Sequence, residues 1–172
     1  MNDDNKLAPG GDPGGGADAA LEFRRALTDP QLTRNVQLRL EISGGVPGER
    51  YNLLFESTGD DSAKIAVLDE IKNYRYETKE VKLPSETIRQ LLTQVDVNRM
   101  VSFYQNTVPI PPCSLVGRLQ VSLGDHTFTL VFMADEEQAR TAGFPPPREF
   151  EHVINAIYEL AAKQMGTENI RP

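Results

Sequence analysis

Residues 35–56 read NVQLRLEISGGVPGERYNLLFE, and this stretch decides the fold. Apolar and polar residues alternate on both sides of a glycine-rich centre, and a period of two is that of a strand with one buried face. The alternating apolar residues are Val36, Leu38, Leu40 and Ile42, followed by Tyr51, Leu53 and Phe55. Because glycine supplies positive φ angles, the Gly-Gly-Val-Pro-Gly centre predicts a turn between two strands.

Two more regions have strand patterns. Residues 63–82 are rich in Ile, Val and Tyr. A turn, bulge or bend at Asn73 would shift the alternation of these apolar residues from odd to even positions. The pattern therefore predicts one bent strand or two short ones. Residues 119–132 predict a second hairpin, because two alternating segments flank Gly124-Asp125.

Helical periodicity occurs twice with clear start or stop signals. Pro84 and Glu86 open a segment whose apolar residues recur at helical spacing, namely Ile88, Leu91, Leu92 and Val95. The same period runs from Phe150 to Ala161, and Gly166 is a suitable C-terminal cap. A short helix within residues 17–27 would end at Asp29-Pro30, and residues 134–147 are expected to form an acidic, Pro-rich loop.

These elements predict an α+β fold: an antiparallel sheet of four to six strands with two amphipathic helices packed on one face. The alternative is a small β-barrel or roll with helices packed at its ends. Residues 1–33 are expected to be a flexible tail rich in Gly, Pro and Asp that includes at most a short helix. Residues 34–166 would form the single domain, and residues 167–172 a C-terminal tail.

Composition and charge restrict the class of partner. The chain has 172 residues, a net charge of −7 and no Lys/Arg cluster, which argues against nucleic acid and anionic membrane as partners. Its apolar runs are shorter than the ~18 residues that a membrane span needs. The polar start of the chain differs from a secretory signal, so a cytoplasmic location is expected. With one cysteine, no internal disulfide can form.

Residue chemistry offers few catalytic or metal-binding patterns. A thiol nucleophile would have to be Cys113, with His126 or His152 as its base, but Cys113 is expected to be a buried or half-buried structural residue, and both histidines to be exposed. The acidic runs at residues 60–61 and 135–137 lack the spacing of a calcium loop. The sequence therefore predicts no metal, no cofactor and no catalytic residue.

The glycine-rich connection is the candidate partner-binding site. It lacks the spacing of a phosphate-binding loop and leads into a strand. It is either a purely structural hairpin turn or an ordered loop that a protein partner contacts, since loops on rigid scaffolds often carry recognition. In the second case the binding residues are Gly44, Gly45, Val46, Pro47, Gly48, Glu49 and Arg50.

The stretch Glu41-Ile-Ser-Gly-Gly-Val-Pro-Gly48 with Tyr51, followed by the helix over 85–95, the hairpin and the last helix, resembles the emfourin family. Emfourins are small bacterial protein inhibitors of thermolysin-like metalloproteases. The resemblance implies a non-catalytic protein that binds another protein, with a metalloprotease as the partner class. Pro47 and the long segment 63–81 depart from the family pattern.

Two other functions remain open at this point. The chain could be an assembly or scaffold subunit of a homo-oligomer, formed through a sheet edge or a helix face. It could also be a cysteine-dependent enzyme that uses Cys113 with a histidine. The sequence alone leaves the partner's identity and the oligomeric state undetermined.

Overall fold

The computed structural model describes residues 15–58, 60–75, 78–96, 111–142, 146 and 148–172. These residues form an α+β fold with five helices and one antiparallel sheet of seven strands. The helices are α1 (Gly15–Thr28), α2 (Pro30–Thr33), α3 (Ser85–Leu92), α4 (Glu136–Ala142) and α5 (Arg148–Met165). The strands are β1 (Val36–Gly44), β2 (Tyr51–Ser57), β3 (Ser62–Asp69), β4 (Tyr74–Arg75), β5 (Lys79–Lys82), β6 (Val116–Leu123) and β7 (His126–Met133).

Strand β1 lies at the centre of the sheet. The strand order is β4-β3-β2-β1-β6-β7, and β5 pairs with β3 beside β4. Both predicted hairpins are present: Ile42 lies opposite Leu53 in the first, and Leu119 lies opposite Leu130 in the second. The antiparallel sheet expected from the two alternating patterns is therefore confirmed.

The sheet buries one face. Along β1, Val36, Leu38, Leu40 and Ile42 are fully buried, whereas the residues between them are exposed or half-buried. Buried residues of α1, α3 and α5 belong to the same apolar cluster as the inward-facing strand residues. In this cluster the Phe23 and Phe128 rings meet edge to face, with centroids 5.9 Å apart.

The expectation of two helices is not confirmed, and the expected domain limits exclude parts of the core. Phe23 of α1 is 1% exposed, so the described part of the expected N-terminal tail packs into the domain. At the other end, Ile170 is also 1% exposed, and the buried Tyr51 hydroxyl donates a hydrogen bond to its carbonyl oxygen. Residues 167–172 are therefore more than a tail, because they supply core contacts.

Residues 134–147 also differ from the expected loop, since helix α4 forms within them. Asp135 begins this helix: its side chain accepts the backbone N–H of Gln138 at 2.7 Å. An aspartate at the N-cap followed by Glu136 and Glu137 in the first turn is a helix start signal that the acidic composition concealed.

Residues 63–82 contain three strands rather than one or two. Asn73 has a φ of 57°, a left-handed conformation that asparagine tolerates, and it ends the turn between β3 and β4. The part of the expected N-terminal tail formed by residues 1–14 lies outside the described residues. No helix in the described ranges combines the length and the apolar character of a membrane span.

Ser57 has a structural role that can be tested. The backbone N–H of Leu38 donates to its buried side-chain oxygen at 2.8 Å, just beyond the last paired residues of β1 and β2. We expect Ser57→Ala to lower the free energy of unfolding by about 1–3 kcal/mol, since it leaves a buried N–H without a partner. Ser43→Ala, at an exposed position of β1, should change it by less than about 0.5 kcal/mol in the same urea titration. Equal effects would contradict this role.

Candidate functional site

The β1–β2 connection is an ordered turn. The backbone N–H of Glu49 donates to the carbonyl oxygen of Val46 at 2.9 Å, which places Pro47 and Gly48 at the two central positions. Gly48 has a φ of 89°. Proline at the first central position and glycine with positive φ at the second are the requirements of a type II turn. The Val-Pro-Gly-Glu sequence therefore specifies its own turn geometry.

Glu70 holds this loop against the turn between β3 and β4. One carboxylate oxygen accepts the backbone N–H groups of Gly48 and Arg50 at 2.8 and 2.9 Å. The other oxygen accepts the Arg50 guanidinium, at 2.9 Å from Nε and 2.7 Å from Nη2. The backbone N–H of Glu70 in turn donates to the Arg50 carbonyl oxygen at 2.9 Å. Two turns that are twenty residues apart in sequence thus form one unit.

The same contacts change the acidity of Glu70. Hydrogen bonds from the Arg50 side chain, then from the backbone N–H groups of Arg50 and Gly48, lower the pKa of Glu70 from its ordinary value of 4.5 to about 2. The side chain of Glu70 is only 20% exposed. The carboxylate is therefore ionised, and the clamp is intact, throughout the neutral range.

A third turn adjoins the other side of the loop. The backbone N–H of Ser114 donates to the carbonyl oxygen of Pro111 at 3.3 Å, and Cys113 has a φ of 66° in this turn. A Cβ atom on Gly44 would overlap the carbonyl oxygen of Ser114, so only glycine lets the two segments approach this closely. The glycine-rich loop is therefore enclosed by neighbours on both sides.

Three apolar side chains project from these joined turns, and we call Val46, Pro47 and Ile71 the tip. Val46 is 39% exposed, Ile71 is 72% exposed, and Pro47 is exposed as well. Ile71 was not among the residues expected from the sequence. It directly follows the clamping residue Glu70, and the pairing of β2 with β3 brings the turn that carries it to the loop.

The structure divides the predicted site residues into two groups. Gly44, Gly45 and Gly48 shape the backbone, and Arg50 is engaged by Glu70 rather than free for a partner. Val46, Pro47 and Glu49 are exposed. The seven residues from Gly44 to Arg50 are thus brought together in one ordered loop, in which the Arg50 side chain is exposed but paired with Glu70.

The structure excludes His126, one of the two histidines that could act as a base for Cys113 in a cysteine-dependent enzyme. Cys113 is exposed in the turn before β6, so the expectation that it is buried or half-buried is wrong. His126 begins β7 opposite Leu123, at the far end of β6. The eight residues of β6 separate the two by roughly 20 Å, which excludes a thiolate–imidazole pair between them.

The two histidines and Asp60 are exposed titratable groups on other elements of the fold. His152 is exposed on α5, and the His126 imidazole lies 3.7 Å from the carboxylate of Glu22. Hydrogen bonds from the hydroxyls of Thr58 and Ser62 lower the pKa of Asp60. Across the described residues, no three His, Cys, Asp or Glu side chains are grouped so that they could hold a metal ion.

Comparison with known proteins adds no assignment. No protein-family model matches the chain, and a search of curated proteins finds no significant match to its sequence.

The contrast between Gly44 and Gly48 tests whether the loop is enclosed as described. Gly48→Ala should cost about 1–2 kcal/mol of unfolding free energy, because its Cβ meets only open space and the penalty is that of the positive φ. Gly44→Ala should cost about 3 kcal/mol or more, because it adds overlap with backbone to that strain. Thermal and urea unfolding of both variants measures the difference, and the opposite order would contradict the packing.

Glu70 gives a prediction for pH dependence. Its pKa in the folded protein lies below the ordinary value of 4.5, so its contribution to stability is fully present above about pH 4.5 and is lost as the pH falls towards 2. The stability difference between the wild type and Glu70→Gln should therefore shrink over this range. Glu49→Gln, an exposed change in the same loop, is the control. A difference that stays constant from neutral pH to pH 2 would show that the charge does not hold the loop.

Proposed function

We propose that the protein is a non-catalytic protein-binding module that engages its partner through the tip, Val46, Pro47 and Ile71. The observation that carries the proposal is the combination of exposed apolar side chains with a backbone that is already ordered. Glu70 and the type II turn fix the loop before any partner arrives. Binding therefore does not have to supply the entropy of ordering the loop, which favours affinity.

The exposed apolar side chains of the tip favour a partner that offers an apolar recess over a partner that offers a flat polar surface. Single exposed apolar residues are common and need no explanation. In the described residues, however, four large hydrophobic residues are exposed, and Val46 and Ile71 are two of them. These two lie on turns that the Glu70 carboxylate joins. Side chains held in this way can act as anchors that fill a pocket.

Within this proposal, the partner class is a metalloprotease of the thermolysin type, as the resemblance to emfourins implies. A loop inserted in a protease cleft has to resist rearrangement and cleavage. Bonds from the backbone N–H groups of Gly48 and Arg50 to Glu70 favour such resistance, since they hold the chain in a turn rather than in an extended form.

Inhibition of thermolysin, measured with a peptide substrate, tests both parts of the proposal. We expect the wild type to inhibit, and the Val46→Ala/Pro47→Ala and Ile71→Ala variants to raise the inhibition constant by about 30-fold or more, the effect of losing an interface anchor. Their melting temperatures should fall by only a few degrees, because these side chains are exposed and the main cost, up to about 1 kcal/mol, is the loss of the fixed φ angle of Pro47.

Leu21→Ala and Leu32→Ala are matched controls, since both remove an exposed leucine elsewhere on the chain. They should leave inhibition unchanged. If the wild type fails to inhibit, the protease assignment is wrong. The binding proposal is then decided by affinity capture from native lysate: a partner retained equally by the wild type and the tip variants would refute the tip as the binding site.

A further inference from the structure

Strand β7 forms one edge of the sheet, and the hairpin geometry determines which of its backbone groups point outwards. The two-residue turn Gly124-Asp125 makes Leu123 and His126 a hydrogen-bonded pair. Hydrogen-bonded pairs then recur at every second residue, so Phe128, Leu130 and Phe132 bond to β6. The bond from the Ala134 N–H to the Leu115 carbonyl oxygen, 2.9 Å, continues the same alternation.

By this alternation, Thr127, Thr129 and Val131 direct their backbone N–H and C=O groups away from the sheet. Across the described residues, these groups have no backbone partner. The three side chains lie on the face opposite the core and are exposed or half-buried. Within the part of the chain that the structure describes, this edge therefore presents a row of backbone groups that no other strand pairs.

The opposite edge of the sheet is protected against pairing. It consists of β4, with two residues, and β5, with four, so it is short and interrupted. Arg75, Lys79 and Lys82 add exposed charge along it. Short strands and lysines are how natural sheets prevent edge-to-edge association. Strand β7 has none of these features: its eight residues, HTFTLVFM, contain neither proline nor lysine.

We propose that β7 pairs with β7 of a second copy of this chain, in antiparallel orientation about a twofold axis at Thr129. This register places Thr129 opposite Thr129, and Thr127 opposite Val131 of the second copy. Pairs of β-branched residues are favourable neighbours across strands. A strand without charges from Thr127 to Met133 can meet its own copy without repulsion, which favours a second copy as the occupant.

The nearest charge on the adjoining strand is compatible with this register. Arg118 lies on β6 opposite Val131. Across the proposed axis, Val131 faces Thr127 of the second copy, and Thr127 is paired with Ser122. The two Arg118 side chains therefore lie towards opposite ends of the paired strands, and like charges do not meet. The tip takes no part in this pairing, so the two proposals can fail independently.

Light scattering coupled to size-exclusion chromatography tests the pairing in the full chain. We expect the wild type to approach twice its 19.1 kDa mass as its concentration rises. Thr129→Lys places two like charges at the axis and should raise the dissociation constant at least tenfold. Gln120→Lys adds the same charge on the same face one strand inwards, and should leave the dimer intact. Circular dichroism checks that both variants are folded.

A cysteine cross-link tests the register. In a Cys113→Ser background, Thr129→Cys should form a disulfide-linked dimer under mild oxidation, since Cα atoms of a hydrogen-bonded antiparallel pair lie about 5.5 Å apart, within disulfide range. Gln120→Cys in that background should cross-link far more slowly. The proposal is wrong if the wild type is monomeric at every concentration. This conclusion holds even if β7 binds an extended peptide in place of a second copy. A dimer that survives Thr129→Lys and does not cross-link at residue 129 overturns the proposal equally.

Discussion

The structure depends on the one-sided burial of β1. This strand pairs with β2 on one side and with β6 on the other, so its alternation sets the inward face of both neighbours. A shift of one residue would turn Val36, Leu38, Leu40 and Ile42 towards the open face and remove the centre of the core. Three helices then complete the cluster from the inner face: α1, α3 and α5 all contribute buried side chains to it.

A second constraint operates at the end of the sheet where β1 meets β2. The Glu70 carboxylate accepts hydrogen bonds from two backbone N–H groups of the loop and from the Arg50 guanidinium. Gly44 lets the loop contact the turn before β6. The register of β1, β2, β3 and β6 brings these turns to the same end. The rigidity of the tip is thus a consequence of the sheet, and the proposed binding role rests on side chains whose backbone the sheet holds in place.

The periodicity of apolar residues predicted helices and strands correctly where one face of the element is buried and the other is exposed to solvent. For this reason both hairpins and the helices α3 and α5 were predictable. Helix α4 was not, because it has seven residues and a polar composition, and its start depends on the cap at Asp135. The burial of Phe23 and Ile170 was missed for a different reason: a short apolar pattern beside glycine-rich or terminal segments does not reveal whether a core is present to receive it.

Some features of the candidate site could likewise be predicted from the sequence, and others could not. By itself the sequence determined the local conformation of the loop, since the Val-Pro-Gly-Glu turn requires only residues adjacent in the chain. Only the tertiary structure decided that Glu70 clamps this loop, that Arg50 is engaged, that Ile71 joins the tip and that Cys113 lies far from His126. The physical reason is that turn preference is a property of neighbouring residues, whereas these contacts arise from strand register, which forms only when the whole sheet buries its apolar face.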